Sequence, residues 1–114
     1  MTAAAALLGF IAVALGAFGA HGLDGRLTPE TTGWWETATL YALVHAVAAL
    51  AIGLSGRRGL GAWGGWAFMV GAVIFAGTLY AMALGAPRWF GAITPIGGVL
   101  LLAGWAFVGV GARR

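Results

Sequence analysis

The chain has 114 residues, 61% of them hydrophobic and only 8% charged, and its mean hydropathy is +0.96. So little charge cannot coat a soluble domain of this size, and long uncharged runs separated by short charged intervals describe an all-α integral membrane protein. The net charge of +3 rests on six basic residues, all arginine, and there is no cysteine; arginines confined to loops and the C-terminus are a topological signal that excludes nucleic acid as a partner, and the lack of thiols excludes disulfides, thiolate metal sites and cysteine nucleophiles.

The first apolar run, Ala3 to Ala20, crosses most of a hydrocarbon core of about 30 Å at about 1.5 Å per residue. Ala17-Phe18-Gly19 imitates a signal-peptidase site, but no Lys or Arg precedes the run, so a retained span is expected. Residues 21–33 place Asp24, Arg26, Pro29 and Glu30 among glycines and form the longest loop, with a helical turn started by Thr28-Pro29-Glu30. The second span, 34–54, opens on Trp34-Trp35 at interface depth, with Glu36 expected in its first turn, where a carboxylate suits the helix dipole. Ser55-Gly56-Arg57-Arg58-Gly59 is a tight polar turn.

The third span covers 62–84 and the fourth 93–110, separated by Gly85 to Gly91, and Thr94 and Pro95 serve as cap and first residue of the last helix. The whole chain, 1–114, is thus one four-transmembrane-helix bundle. Arg57, Arg58, Arg113 and Arg114 fall on one side of the membrane, and Arg26 and Arg88 fall on the other beside Asp24, Glu30 and Glu36. The positive-inside rule then puts both termini in the cytoplasm.

Helices in lipid associate through small residues that let backbones approach. Candidate rows are Ala12, Gly16 and Ala20; Ala38, Ala42 and Ala46; Gly61 and Gly65; and Gly77, Ala81 and Gly85. So many small-residue faces exceed what four short helices use among themselves, so a homo-oligomer or a larger membrane complex is expected.

Polar side chains inside the membrane are functional candidates, since a central charge costs at least about 2.5 kcal/mol on insertion scales. His45 stands halfway along the second span with Tyr41 one turn before it, so phenol and imidazole can form one polar cluster; the competing role for His45 is a single interhelical hydrogen bond that fixes packing. Thr78 and Tyr80 on the third span, Gly97-Gly98 on the fourth and His21 at the end of the first complete the ligand-binding candidates. His21, Asp24, Glu36 and His45 are of metal-ligating type, but their spacing matches no metal motif, and no metal or cofactor is expected. Ser55 has no histidine in predictable reach, so no catalytic residues are assigned and no enzyme is expected.

Gly16 to Leu23 (GAFGAHGL), Tyr41 with His45, Gly77-Thr78-Leu79-Tyr80, Thr94 to Gly98 (TPIGG) and Gly104-Trp105 occur in an order that resembles the domain of unknown function 423 family of small bacterial membrane proteins. That family is similar to the eukaryotic transmembrane protein 256. The resemblance covers nearly the whole chain and implies a four-span fold in the bacterial plasma (inner) membrane, with His21 and His45 matching the family's two histidine motifs. Thr78 stands where serine is common, which keeps the hydroxyl. The expected role is a non-enzymatic packing or binding module holding a lipid or quinone near Tyr41, His45 and Tyr80; the alternative is an oligomeric transporter or channel for a small solute or protons, with His45 titrating.

Overall fold

A computed structural model describes residues 1–23 and 25–112. Asp24, Arg113 and Arg114, used above for sidedness and as a metal-ligand candidate, lie outside the described residues. Four helices follow one another: α1 (Thr2–His21), α2 (Pro29–Ser55), α3 (Leu60–Ala83) and α4 (Thr94–Gly111), with a 3₁₀ turn over Arg88–Ala92 between the last two. All four are long and apolar enough to cross a membrane.

α2 starts earlier than hydropathy predicts. Pro29 presets the first helical φ, Thr28 Oγ1 accepts from the Thr31 amide at 3.1 Å, and Thr31 Oγ1 accepts from the Thr28 amide at 2.8 Å. This reciprocal cap starts the helix in water, before the apolar run begins. Glu30, not Glu36, therefore occupies the first turn. With 27 residues, α2 is about 40 Å long against a hydrocarbon core of about 30 Å, so its first turns stand at headgroup level. At its other end Gly56 (φ 70°) and Gly59 (φ 63°) take the left-handed conformation that lets the chain reverse around Arg57-Arg58.

Thr94 does not cap α4. Its backbone is already helical because the 3₁₀ turn runs straight into α4 through Ile93, which carries no side-chain cap. The Thr94 hydroxyl instead lies 2.6 Å from the Thr78 hydroxyl and 3.3 Å from the Phe90 carbonyl, tying the start of α4 to α3.

Packing follows chain order, α1 on α2, α2 on α3 and α3 on α4, with a slighter contact of α1 on α3. The bundle is flattened, 50 × 26 × 16 Å. α3 is the innermost helix, and its seam with α4 is built of glycine. Gly97, Gly104 and Gly111 recur every seventh residue on α4, opposite Gly71, Gly64 and Gly61 on α3. A methyl group on Gly64 would stand 2.8 Å from the Gly104 carbonyl oxygen, and one on Gly71 2.9 Å from that of Gly97. Only glycine permits this approach, which replaces the hydrophobic drive that lipid cannot supply.

Among the candidate rows, Ala38, Ala42 and Ala46 are buried, and so are Gly61 and Gly65. Gly77 faces outward, with nothing within 4 Å of an added methyl group. On α1, Ala12 is in the core but Ala20 is exposed. Phe68 is the largest fully buried side chain and links α2, α3 and α4 near mid-membrane.

Candidate functional site

The residues singled out from sequence separate into four places. His45 is the one buried polar side chain among the described residues. Its Nδ1 lies 2.8 Å from the Tyr41 carbonyl oxygen, which can only accept, so Nδ1 carries the proton. Nε2 is thereby the acceptor for the Trp105 indole N–H, at 3.1 Å. Both ring nitrogens are engaged, and the ring packs on Phe68 and Trp105 with centroids 5.4 and 5.9 Å away. The Tyr41 ring stacks beside the imidazole with centroids 6.0 Å apart, but the bond between the two residues runs through the Tyr41 carbonyl and not through the phenol. The Tyr41 side chain, 38% exposed, leans on Phe75 with ring centroids 4.5 Å apart, because the helix sets its Cβ toward the open cleft while α4 brings the indole to His45. The hollow beside this pair is small, about 180 Å³, and lined by Leu40, Tyr41, Val44 and His45.

Tyr80 belongs to a different cluster. Its hydroxyl is 2.6 Å from Thr39 Oγ1, its ring meets Trp35 edge-on at 4.5 Å, and the Trp35 indole N–H donates to the Leu15 carbonyl at 2.7 Å. α1, α2 and α3 are joined by this chain. Thr78 donates to the Ile74 carbonyl at 2.8 Å and pairs with Thr94, a helix-to-helix tie. Gly97 is filled by the α3 backbone, since a methyl group there would meet the Phe75 nitrogen at 2.5 Å, and Gly98 faces the Phe75 ring at 3.9 Å. His21 is exposed at the end of α1. No three metal-ligating side chains come together among the described residues.

A cavity of about 480 Å³ forms a groove on one face of α1 and α2, away from the ligand-binding candidates read from the sequence. Gly16, Gly19 and Ala20 make the α1 wall, Leu23, Gly25 and Leu27 the rim from the connecting loop, and two stripes of α2 the other wall: Thr32, Glu36 and Leu40, and Trp35, Thr39 and Leu43. Each stripe repeats every fourth residue, the helical spacing that places side chains one above another. That spacing is present in the sequence, where Glu36 reads as a first-turn carboxylate and a metal-ligating type while Thr32 and Thr39 carry no role. The volume lies within the range of about 300–1,000 Å³ usual for small-molecule sites. Thr32 and Glu36 stand toward the loop end of the α2 wall, and Leu40 and Leu43 stand deeper along it.

These features define a small helical integral membrane protein with an open groove between α1 and α2 and one buried histidine whose two ring nitrogens are both bonded. The family described as protein of unknown function (DUF423) matches residues 15–98, and the chain belongs to that family. It is similar to a UPF0382 membrane protein of Staphylococcus epidermidis, 49% identical over 88% of this chain and 84% of the relative. A UPF0382 membrane protein of Staphylococcus saprophyticus is 46% identical over 96% of this chain and 92% of its own. The UPF0382 inner membrane protein YgdD of Escherichia coli K12 is 42% identical over 96% and 86%. No solved structure matches the chain.

Proposed function

We propose that this protein is a non-enzymatic module of the bacterial inner membrane that holds one membrane amphiphile, a lipid or a quinone, in the groove between α1 and α2. The groove itself carries the reading: about 480 Å³ of open space between two membrane-spanning helices, with Thr32 and Glu36 near the loop end of its α2 wall and Leu40 and Leu43 deeper along it. The engaged state of both His45 nitrogens supports a packing role for that residue over a titrating one. The name of the Escherichia coli relative supports the inner membrane as the location, and the arginine asymmetry supports cytoplasmic termini. Exposed apolar surface around Trp63, Trp66 and the Gly77 face leaves room for a second copy or a larger membrane complex.

Native mass spectrometry of the full chain released from a mild detergent tests this, because it reports subunit number and retained small molecules together. One bound amphiphile per chain is expected, and Leu43→Trp, which fills the apolar end of the groove, is expected to reduce its retention. A chain that carries none, or retention indifferent to Leu43→Trp, would remove the groove as a binding site.

A further inference from the structure

The groove has a definite polarity and a definite length, and both bear on what fills it. From Thr32 to Leu43 along α2 is about 16 Å, close to half of a hydrocarbon core of about 30 Å, so the groove spans one leaflet. At its headgroup end Glu36, exposed, is the only ionisable residue lining it among the described residues, and Thr32 supplies a hydroxyl one turn away. Among the described residues Glu36 forms no salt bridge; the ion pair formed there is Arg88 with Glu30, which lies outside the groove. Arg26 sits at the rim, between the lining residues Gly25 and Leu27, and is exposed. A carboxylate in the wall calls for a headgroup that ends in an ammonium, and Leu40 and Leu43, deeper along α2, call for an acyl chain.

Resting on the amphiphile reading above, we infer that the occupant is an aminophospholipid of the outer leaflet, with its primary ammonium on Glu36 and Thr32. A quinone has no cation to offer Glu36. Phosphatidylglycerol would set an anion near that carboxylate with no amine to compensate, and phosphatidylcholine has no N–H to donate. A carboxylate–ammonium pair at an exposed site discriminates by up to about five-fold.

The test uses the full-length protein in mild detergent, incubated with equal amounts of phosphatidylethanolamine and phosphatidylglycerol of identical acyl chains, and read by native mass spectrometry. Wild type is expected to retain phosphatidylethanolamine over phosphatidylglycerol by about five-fold. Glu36→Gln is expected to keep one bound lipid and lose the preference, and Glu30→Gln, outside the groove, to keep it. Circular dichroism and gel filtration establish that each variant is folded. Wild type that binds lipid without preference, or Glu36→Gln that retains the preference, overturns the headgroup inference and leaves the groove as a lipid site. Wild type that retains neither lipid overturns the amphiphile reading as well. Displacement of the lipid by excess soluble phosphoethanolamine would assign the groove to a water-soluble amine and overturn the lipid as its occupant.

Discussion

The indole N–H of Trp105 on α4 donates to Nε2 of His45 on α2 across 3.1 Å, spanning the cleft above Phe68. Together with the bond from Nδ1 to the Tyr41 carbonyl, this fixes the imidazole in one tautomer, with Nε2 turning its lone pair to an indole that has only a hydrogen to give. The interaction ties together two helices that otherwise meet mainly through α3.

Removing either partner should therefore cost stability, and the costs should not add. Trp105→Phe leaves a buried acceptor without its donor, and His45→Phe leaves the indole N–H in an apolar cleft. Interhelical hydrogen bonds in membranes couple by about 0.6 kcal/mol on average and up to about 1.7. A double-mutant cycle measured by denaturant unfolding in detergent is expected to give a coupling in that range; strictly additive single variants would show that the bond contributes nothing.

The α3–α4 seam makes a sharper contrast. At Gly97 a methyl group would stand 2.5 Å from the Phe75 nitrogen and 2.8 Å from the Gly71 carbonyl oxygen, both backbone atoms that cannot turn aside. At Gly77 it would meet nothing within 4 Å. Gly97→Ala should lower stability by about 1–3 kcal/mol, the usual cost of overpacking, while Gly77→Ala should leave it unchanged or slightly raised by better helix propensity. Thermal unfolding of the two variants in the same detergent distinguishes them, and equal midpoints would mean that the seam is looser than this geometry.

How much of this was legible beforehand follows from whether the cause is local. The four spans, the polar turn at Arg57-Arg58 and the Thr28-Pro29 start of a helix are local, and hydropathy and capping chemistry reveal them. The seven-residue recurrence of Gly97, Gly104 and Gly111 is also local, yet that they meet Gly71, Gly64 and Gly61 is fixed by the turn at Arg88–Ala92 and the crossing of two helices. Pairs such as His45 with Trp105, Thr78 with Thr94 and Tyr80 with Thr39 are non-local in the same way. His45 was visible as a polar residue at mid-span, but its partner was not. The groove escaped notice because its polar members, Thr32, Glu36 and Thr39, stand where hydropathy marks the edge of a span.

Tyr80 offers a third measurement. Its hydroxyl bonds Thr39 at 2.6 Å behind the groove, and its ring supports Trp35, whose indole in turn holds the Leu15 carbonyl of α1. Tyr80→Phe keeps the ring and removes only the hydroxyl, so the expected loss is about 1 kcal/mol. Trp35→Phe shortens the reach to α1 and should loosen it selectively. Hydrogen exchange in detergent is expected to speed up along α1 in Trp35→Phe and to stay close to wild type there in Tyr80→Phe; the same response in both would show that α1 is not held through the indole.

Sidedness can be read directly because the chain has no cysteine of its own to interfere. Ala112 is exposed just beyond α4, and Leu84, 62% exposed, lies just beyond α3 at the opposite end of the bundle. If Arg57 and Arg58 hold their turn in the cytoplasm, Ala112→Cys shares that side and Leu84→Cys faces outward. A membrane-impermeant maleimide applied to intact spheroplasts should then label Leu84→Cys at once and Ala112→Cys only after the membrane is opened. The reverse pattern would place the groove's carboxylate end in the cytoplasmic leaflet, where an aminophospholipid would have to be drawn from the inner face, and labelling of both in intact spheroplasts would indicate mixed orientation.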